Sequence, residues 1–296
     1  MARTIVITGA SSGFGKGVAR RLAAQGHRPV LAARRDNLLH ELERELGGAL
    51  AVPTDVGKPD DVERLAERAI AEFGQIDVWI NNAGVGTIGP FTEIPLADQV
   101  AVVQTNFVGE LAGTYVALRH FLQRGEGTLI NVASVAGKVA MPYYATYGAT
   151  KAAVLSMSSA IRRELELQGR QNIHICTVNP WATDTPFFEH AANYTGHALR
   201  MPAIDDPEVV IDAIVDLVEH PKDDVDVGVK VKGTALGSHL TPGVTEAATA
   251  RITEKYLMED APSAPTTSGS VHEPMSTGSG VEGGVRARIA AEDEQG

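Results

Sequence analysis

Short runs that are apolar throughout, each followed by a segment of helical spacing, constrain this chain more than any other feature. TIVIT (4–8), PVLAA (29–33), ALAVP (49–53), IDVWIN (76–81), TLINVA (128–133) and NIHICTV (172–178) have the length and β-branched content of buried strands. A helix near 207–219 and a strand near 225–231 close the series. The helix after the third run is the plainest: Pro59 opens it, and Val62, Leu65, Ala66, Ala69, Ile70 and Phe73 recur at 3.6 spacing. Helical patterns also cover 96–123 and the stretch that carries Val154, Leu155, Ile161 and Leu165 on one stripe. Strands without a polar face must be covered on both sides. The alternation therefore predicts one doubly wound α/β domain, a parallel sheet of about seven strands with helices on both faces.

The chain has 296 residues, 44% of them hydrophobic, enough for one such core, and no internal repeat is visible. We expect the domain to occupy 1–257. Residues 258–296 lack Phe, Trp and Tyr and are rich in Gly, Ser, Thr, Pro and Glu, a composition that buries too little to offset its ordering entropy. This tail is expected to be mostly flexible, with a tail folded over a neighbouring subunit as the alternative.

A formal charge of −11 argues against non-specific binding to nucleic acid or anionic membranes. The N-terminal 44 residues reverse the sign, with eight lysines and arginines against three carboxylates, which suits a small polyanion or merely solvated helix faces. Cys176 is the only cysteine, so no intrachain disulfide forms, and no zinc-type cluster or other metal site is present. The first apolar run is too short for a secretory signal or a membrane span, so a soluble cytoplasmic protein is expected.

TGASSGFG (8–15) joins the first strand to its helix. Glycines at 9, 13 and 15 permit a tight turn and close approach to a pyrophosphate, and the helix N-terminus behind them offers unpaired N–H groups and partial positive charge. Gly17 stands where a triphosphate-hydrolase loop needs Ser or Thr. The bland alternative is a glycine-rich turn with no ligand. At the end of the second strand, where a carboxylate would take the ribose 2′-hydroxyl of NAD, this chain has Arg34 and Arg35. A guanidinium clamps a 2′-phosphate, so NADP(H) is expected over NAD(H), unless these are two solvated arginines at a helix start.

In YYATYGATK (143–151), Tyr147 and Lys151 are four apart and share a face if the segment is helical. A free phenol titrates near ~10, and a nearby ammonium favours the phenolate. An aromatic stripe with a snorkelling lysine explains the pair equally well in isolation.

Taken together, residues 3–232 resemble the short-chain dehydrogenase/reductase family. The resemblance rests on TGASSGFG, TDV (54–56), NNAG (81–84), Asn106 in QTNFVG, Ser134 in NVASVAG, and Tyr147 with Lys151. It implies a Rossmann-type fold and an oxidoreductase acting on a secondary alcohol/ketone pair, with Tyr147 as general acid–base. Lys151 would bind the nicotinamide ribose and assist the tyrosine, Ser134 would hold the substrate oxygen, and Asn106 would position a relay water. Gly9, Ser11, Ser12, Gly13, Phe14 and Gly15 would meet phosphates and ribose, and Arg34 and Arg35 the 2′-phosphate. Asp55 and Val56 would edge the adenine, and Asn82, Ala83 and Gly84 would pass the nicotinamide ribose. Pro180, Thr183 and Thr185 would approach the nicotinamide.

Trp181 departs from the family's usual glycine after the sixth strand. Residues 183–206 form the expected substrate lid, where Phe187, Phe188, Tyr194 and Leu199 imply a partly apolar pocket. His190 and His197 would touch substrate or serve as surface or capping residues. Tyr143 and Tyr144 are left for the cleft wall or for packing. The apolar helices at 106–123 and 147–168 imply a homodimer or homotetramer. Two other readings stay open: a catalytically silent NADP(H)-binding sensor or scaffold, and an NAD-dependent enzyme of the same fold.

Overall fold

A computed structural model of the chain describes residues 2–201, 203–228 and 242–294. In chain order the elements are β1 (Thr4–Thr8), α1 (Gly13–Ala24), β2 (Arg28–Ala33), α2 (Asp36–Leu46), β3 (Leu50–Pro53), α3 (Pro59–Phe73), β4 (Val78–Asn81), β5 (Thr87–Ile88) and α4 (Leu96–Val103). A π-helical turn (Gln104–Val108) leads into α5 (Gly109–Arg124), followed by β6 (Gly127–Val132), a 3-10 turn (Val135–Gly137), α6 (Ala145–Leu167) and β7 (Ile173–Pro180). Then come α7 (Phe187–His190), β8 (Ala192–Asn193), α8 (Pro207–Glu219), β9 (Asp224–Val227), α9 (Pro242–Glu254), a second π-helical turn (Lys255–Glu259) and α10 (Val285–Asp293).

Seven strands form one sheet in the order β3-β2-β1-β4-β6-β7-β9, every neighbouring pair parallel. The doubly wound architecture and its seven strands agree with the sequence reading. Residues 229–231 of the expected last strand lie outside the described residues. Side chains alternate across the pleat. Ile5 and Ile7 join Leu31, Ile80 and Ile130 against α1, α2 and α8, whereas Val6 joins Val30, Trp79 and Leu129 against α3, α5 and α6. That double coverage is why the strands lack a polar face.

Local chemistry fixes the helix ends. Pro59 starts α3 with Asp60 and Asp61 in its first turn, favourable beside the positive end of the helix dipole, and Gly74 ends it at φ +83. Asp206 caps α8 by accepting a hydrogen bond from the Glu208 amide at 2.9 Å. Strand order reverses between β1, which runs on to β2 and β3, and β4, which runs on to β6 and β7. The reversal opens a crevice at the carboxyl ends of these strands. A two-stranded parallel pair, β5 with β8, ties the loop after β4 to the segment beyond α7.

Candidate active site

The crevice begins at the end of β1. The Thr8 hydroxyl accepts from the amides of Asn82 and Ala83 at 2.9 and 3.0 Å, and Asn82 Nδ2 donates to the Thr8 carbonyl at 2.9 Å. These bonds bring the NNAG turn against the glycine loop. A β-carbon at Gly15 would sit 2.4 Å from the Gly9 carbonyl oxygen, and one at Gly9 would lie 2.9 Å from Ala83 Cα, with Gly9 itself at φ +69. Only glycine fits either position. Ser12 precedes α1 without capping it by its side chain, so amides of the first turn face the crevice.

Arg35 folds back over this loop, donating through Nε to Ser11 Oγ (3.1 Å) and through Nη2 to Ser12 Oγ (2.7 Å). Burial pushes both the Arg34 and Arg35 guanidinium groups below the usual arginine range. The partners of these arginines come from the C-terminal segment. Arg34 donates to the carbonyls of Ser270 (2.6 Å) and His272 (2.9 Å), and Arg35 to those of Thr277 (3.0 Å) and Gly278 (3.2 Å). Lys16 Nζ donates to Ser279 O, and the Gly13 amide to Gly280 O, both at 2.9 Å. Composition points to a flexible tail; the structure lays residues 260–294 along the body, held by main-chain hydrogen bonds, by side-chain pairs such as His272–Asp98 and Arg286–Asp206, and by burial of Val271 and Val285.

Tyr147 and Lys151 lie on α6, as the four-residue spacing requires. Lys151 is 4% exposed, and its Nζ donates to the Val132 carbonyl at 2.7 Å. The Tyr147 ring packs on Phe187, centroids 5.3 Å apart. Ser134 starts the 3-10 turn, where its Oγ accepts from the Ala136 amide at 3.1 Å. Asn106 sits inside the π-helical turn, a local widening often found at functional sites. Its side chain pairs in both directions with the Val85 backbone, at 2.9 and 2.8 Å, and donates to Thr150 Oγ1 at 3.3 Å.

One cavity of about 250 Å³ connects these groups. Of the residues expected at the site, Gly9, Ser11, Ser12, Gly13, Phe14, Arg34, Arg35, Asp55, Val56, Asn82, Ala83, Gly84, Ser134, Tyr147, Lys151, Pro180, Thr183 and Thr185 line it. Gly15 and Asn106 do not; they lie behind the wall, where Gly15 lets the loop close and Asn106 braces the Val85 backbone. The Asp55 carboxylate is partly engaged in its own turn, accepting from the Gly57 amide at 3.1 Å. Trp181 packs beside Val135 and Val139, and its Nε1 donates to the Ala203 carbonyl at 3.0 Å. Its φ lies outside the left-handed region, so this position makes no demand for glycine.

The end of the cavity beyond Tyr147 is apolar, walled by Met141, Tyr144, Phe187, Phe188 and Met201. Burial pushes the Tyr144 phenol far above its ordinary range. Tyr143 does not line the cavity but packs in the same apolar cluster as Tyr144 and Met201, its backbone at φ +69 and its carbonyl accepting from the Gly89 amide. His190 lines the cavity and contacts Thr277 O at 3.1 Å, whereas His197 contacts Ala261 O at 3.0 Å. Tyr194 donates to Asp98 Oδ2 at 2.6 Å, and Leu199 is buried. Two contributors escaped the sequence reading: the tail residues Ser270, Pro274 and Met275, which line the cavity, and Glu110, whose carboxylate oxygen approaches Lys151 Nζ to 3.8 Å. Glu110 carried a faint signal, since it stands four residues after Asn106 on the same helical path. Among the described residues no group of three or more His, Cys, Asp or Glu side chains is arranged to hold a metal, and no helix is long and apolar enough to cross a membrane.

A parallel sheet whose strand order reverses at a glycine loop, with a tyrosine and a lysine one turn apart in the same crevice, defines a nucleotide-binding α/β oxidoreductase. The family model described as short chain dehydrogenase matches residues 3–194. The uncharacterized oxidoreductase YxnA of Bacillus subtilis is 39% identical over 265 residues, covering 86% of this chain and 72% of that protein. A diacetyl reductase [(S)-acetoin forming] of Staphylococcus epidermidis is 38% identical over 174 residues, 57% of this chain and 68% of its own length. Among solved structures, a short chain dehydrogenase/reductase from Burkholderia phymatum in complex with NAD superposes with a TM-score of 0.73 at 23% identity, covering 82% of this chain and 95% of that one. A short chain dehydrogenase from Burkholderia cenocepacia in complex with NADP gives 0.71 at 24%, with 84% and 97% coverage. The chain belongs to the short-chain dehydrogenase family and is an oxidoreductase of the class that acts on CH–OH groups.

Proposed function

We propose that the protein interconverts a ketone and a secondary alcohol with NADP(H), using Tyr147 as the general acid–base. The observation that carries this reading is the convergence of Ser134, Tyr147 and Lys151 on the cavity that the glycine loop and Arg34 also line. The glycine cradle, the first-turn amides of α1 and the paired guanidiniums are the donor set that a dinucleotide pyrophosphate and a 2′-phosphate need. Gly9 to Phe14 would hold the phosphates, Arg34 and Arg35 the 2′-phosphate, and Asn82 to Gly84 with Pro180, Thr183 and Thr185 the nicotinamide half. Bound NADP(H) supplies or accepts hydride at the substrate carbon.

In reduction Tyr147 gives a proton to the substrate oxygen, and in oxidation it takes one. The Ser134 hydroxyl donates to that oxygen as charge develops on it. Lys151, one helical turn from the phenol, assists it and contributes to the ribose site, and Asn106 holds the wall behind them. The wall of Met141, Tyr144, Phe187, Phe188 and Met201 carries no charge, which favours a neutral, partly apolar carbonyl compound. The test is a panel of ketones, vicinal diketones and secondary alcohols read by NADPH absorbance. Turnover with a neutral ketone supports the reading, and NADPH binding without turnover across the panel would leave a non-catalytic binder.

For the assembly we read a homo-oligomer. Leu96, Val100 and Val103 on α4 follow i, i+4, i+7 spacing, and Leu111, Tyr115 and Leu122 continue the exposed apolar stripe along α5. A second copy of the same stripe is its self-complementary cover.

A further inference from the structure

Glu110 is 4% exposed, yet its Oε1 has no hydrogen-bond partner among the described residues. A buried carboxyl left half-unsatisfied is destabilising and calls for a reason. Its other oxygen faces the Lys151 ammonium at 3.8 Å, and of the two residues only Lys151 lines the cavity. Lys151 is the charged group facing this carboxyl. The network of Trp79, Asn81, Thr114, Asn131 and Ser158, which ends on the Glu110 carbonyl, is neutral. Burial raises the Glu110 carboxyl to about 8 against the pull of Lys151, so near neutral pH it is largely the neutral acid.

We propose that Glu110 is a positioning residue for Lys151: as the neutral acid it leaves the ammonium directed toward the cavity, and as the carboxylate it draws the ammonium into a buried ion pair. The inference rests on the reading of Lys151 as part of the acid–base and ribose site. Two measurements test it between pH 6.5 and 9.5. Infrared spectroscopy of the wild-type protein should show a protonated carboxyl band that titrates in this window and is lost in Glu110→Gln. NADPH binding, followed by fluorescence, should weaken several-fold through the same transition in wild type and stay flat in Glu110→Gln. A wild type without the titrating band, or an equal binding transition in Glu110→Gln, overturns the proposal. Absence of NADPH and NADH binding at every pH defeats the cofactor reading instead, and the infrared titration still decides whether Glu110 ionises beside Lys151.

A different observation concerns the tail. It is anchored on one side by the antiparallel Asn193–Thr267 bridge, with bonds of 2.8 and 2.9 Å, and on the other by Val285 N donating to Asp184 (2.8 Å) and Arg286 pairing with Asp206 (2.9 Å). Between the anchors, carbonyls of 270–280 occupy Gly13 N, Lys16, Arg34 and Arg35, the donors a dinucleotide's phosphates would use. These are bonds to neutral acceptors, and a phosphate makes stronger, charge-assisted ones. We infer that residues 269–285 form a strap that competes with the anionic half of NADP(H) and is displaced when it binds.

This inference, too, rests on the cofactor reading. Thr267→Pro in the full chain removes the amide that donates to the Asn193 carbonyl at 2.9 Å, which loosens the strap at an anchor outside the cofactor and acid–base site. NADPH should then bind several-fold more tightly and faster, and hydrogen exchange in wild type should show 270–280 losing protection when NADPH is added. Weaker binding in Thr267→Pro, or added protection of 270–280 by NADPH, overturns competition. If neither NADPH nor NADH binds, the cofactor reading fails, while exchange of the cofactor-free chain still reports whether the strap lies on the arginines.

Discussion

Tyr144 and Tyr147 meet edge to face, ring centroids 6.5 Å apart, and their surroundings separate them chemically. Tyr144 is 5% exposed, donates to the Met201 sulfur at 3.4 Å, and is held far above the ordinary phenol range by burial. Tyr147 stands at the cavity one helical turn from Lys151. Tyr147→Phe is expected to lower kcat by about 10²–10⁴-fold, the usual contribution of a positioned acid–base group, with NADPH affinity preserved. Tyr144→Phe should retain turnover. Steady-state kinetics with the best substrate of the panel check both, and an active Tyr147→Phe enzyme would remove the acid–base role.

Arg34 is the residue expected to distinguish the two dinucleotides. A charge-assisted hydrogen bond contributes roughly 1.5–3 kcal/mol, about ten- to a hundredfold in affinity. Arg34→Asp should shift the NADPH-to-NADH ratio of kcat/KM by that factor toward NADH. An unchanged ratio would remove the argument for NADP.

The glycine loop tolerates no side chain at Gly15, where a β-carbon would press on the Gly9 carbonyl at 2.4 Å. Gly15→Ala is expected to destabilise the fold by about 1–3 kcal/mol and to raise the NADPH Kd as the loop shifts. Gly48→Ala, with nothing within 4 Å of its new methyl, should change neither unfolding nor binding.

Glu110 also shapes stability against pH. Its folded carboxyl lies near 8 against an ordinary 4.5, so between these values the folded chain holds more protons than the unfolded one, and stability falls as pH rises. The stability is fully present below about 4.5 and is lost by about 8, with a ceiling of about 5 kcal/mol for this single group. Urea unfolding at pH 5 and pH 8 should show that Glu110→Gln stabilises the protein at the higher pH relative to the lower. Parallel pH profiles of variant and wild type would contradict it.

The stripe on α4 and α5 gives a mass prediction. Leu111→Asp with Tyr115→Asp places two charges on exposed positions that a second copy would cover. Light scattering should report a wild-type oligomer and a smaller variant that still binds NADPH. A wild-type monomer would end the proposal of self-association.

The sheet was legible because both-face burial writes itself into the apolar centres of runs such as TIVIT and IDVWIN, where Ile5, Val6, Ile7 and Val78, Trp79, Ile80 fill both faces of the pleat. The crevice was legible because Thr8, Gly9, Tyr147 and Lys151 sit at positions set by strand ends and helix turns. Glu110 was legible only as a residue four after Asn106, since burial on both sides is what reveals its approach to Lys151, and spacing along α5 says nothing about α6. The tail was not legible. Composition counts side chains, whereas over the arginines the tail is gripped through its carbonyls, and a few side chains such as Val271 and Arg286 fasten the rest. The glycines that suggested disorder let it lie close: β-carbons at Gly278 and Gly283 would meet His190 and Thr185 within 2.4 and 2.3 Å.

Because Arg34 and Arg35 hold peptide oxygens rather than chosen side groups, exchanging the side chains of His272 or Thr277 would cost this grip less than bending the backbone there. What the guanidiniums read in this segment is the course of its peptide oxygens, set by glycines that leave room for it against His190 and Thr185.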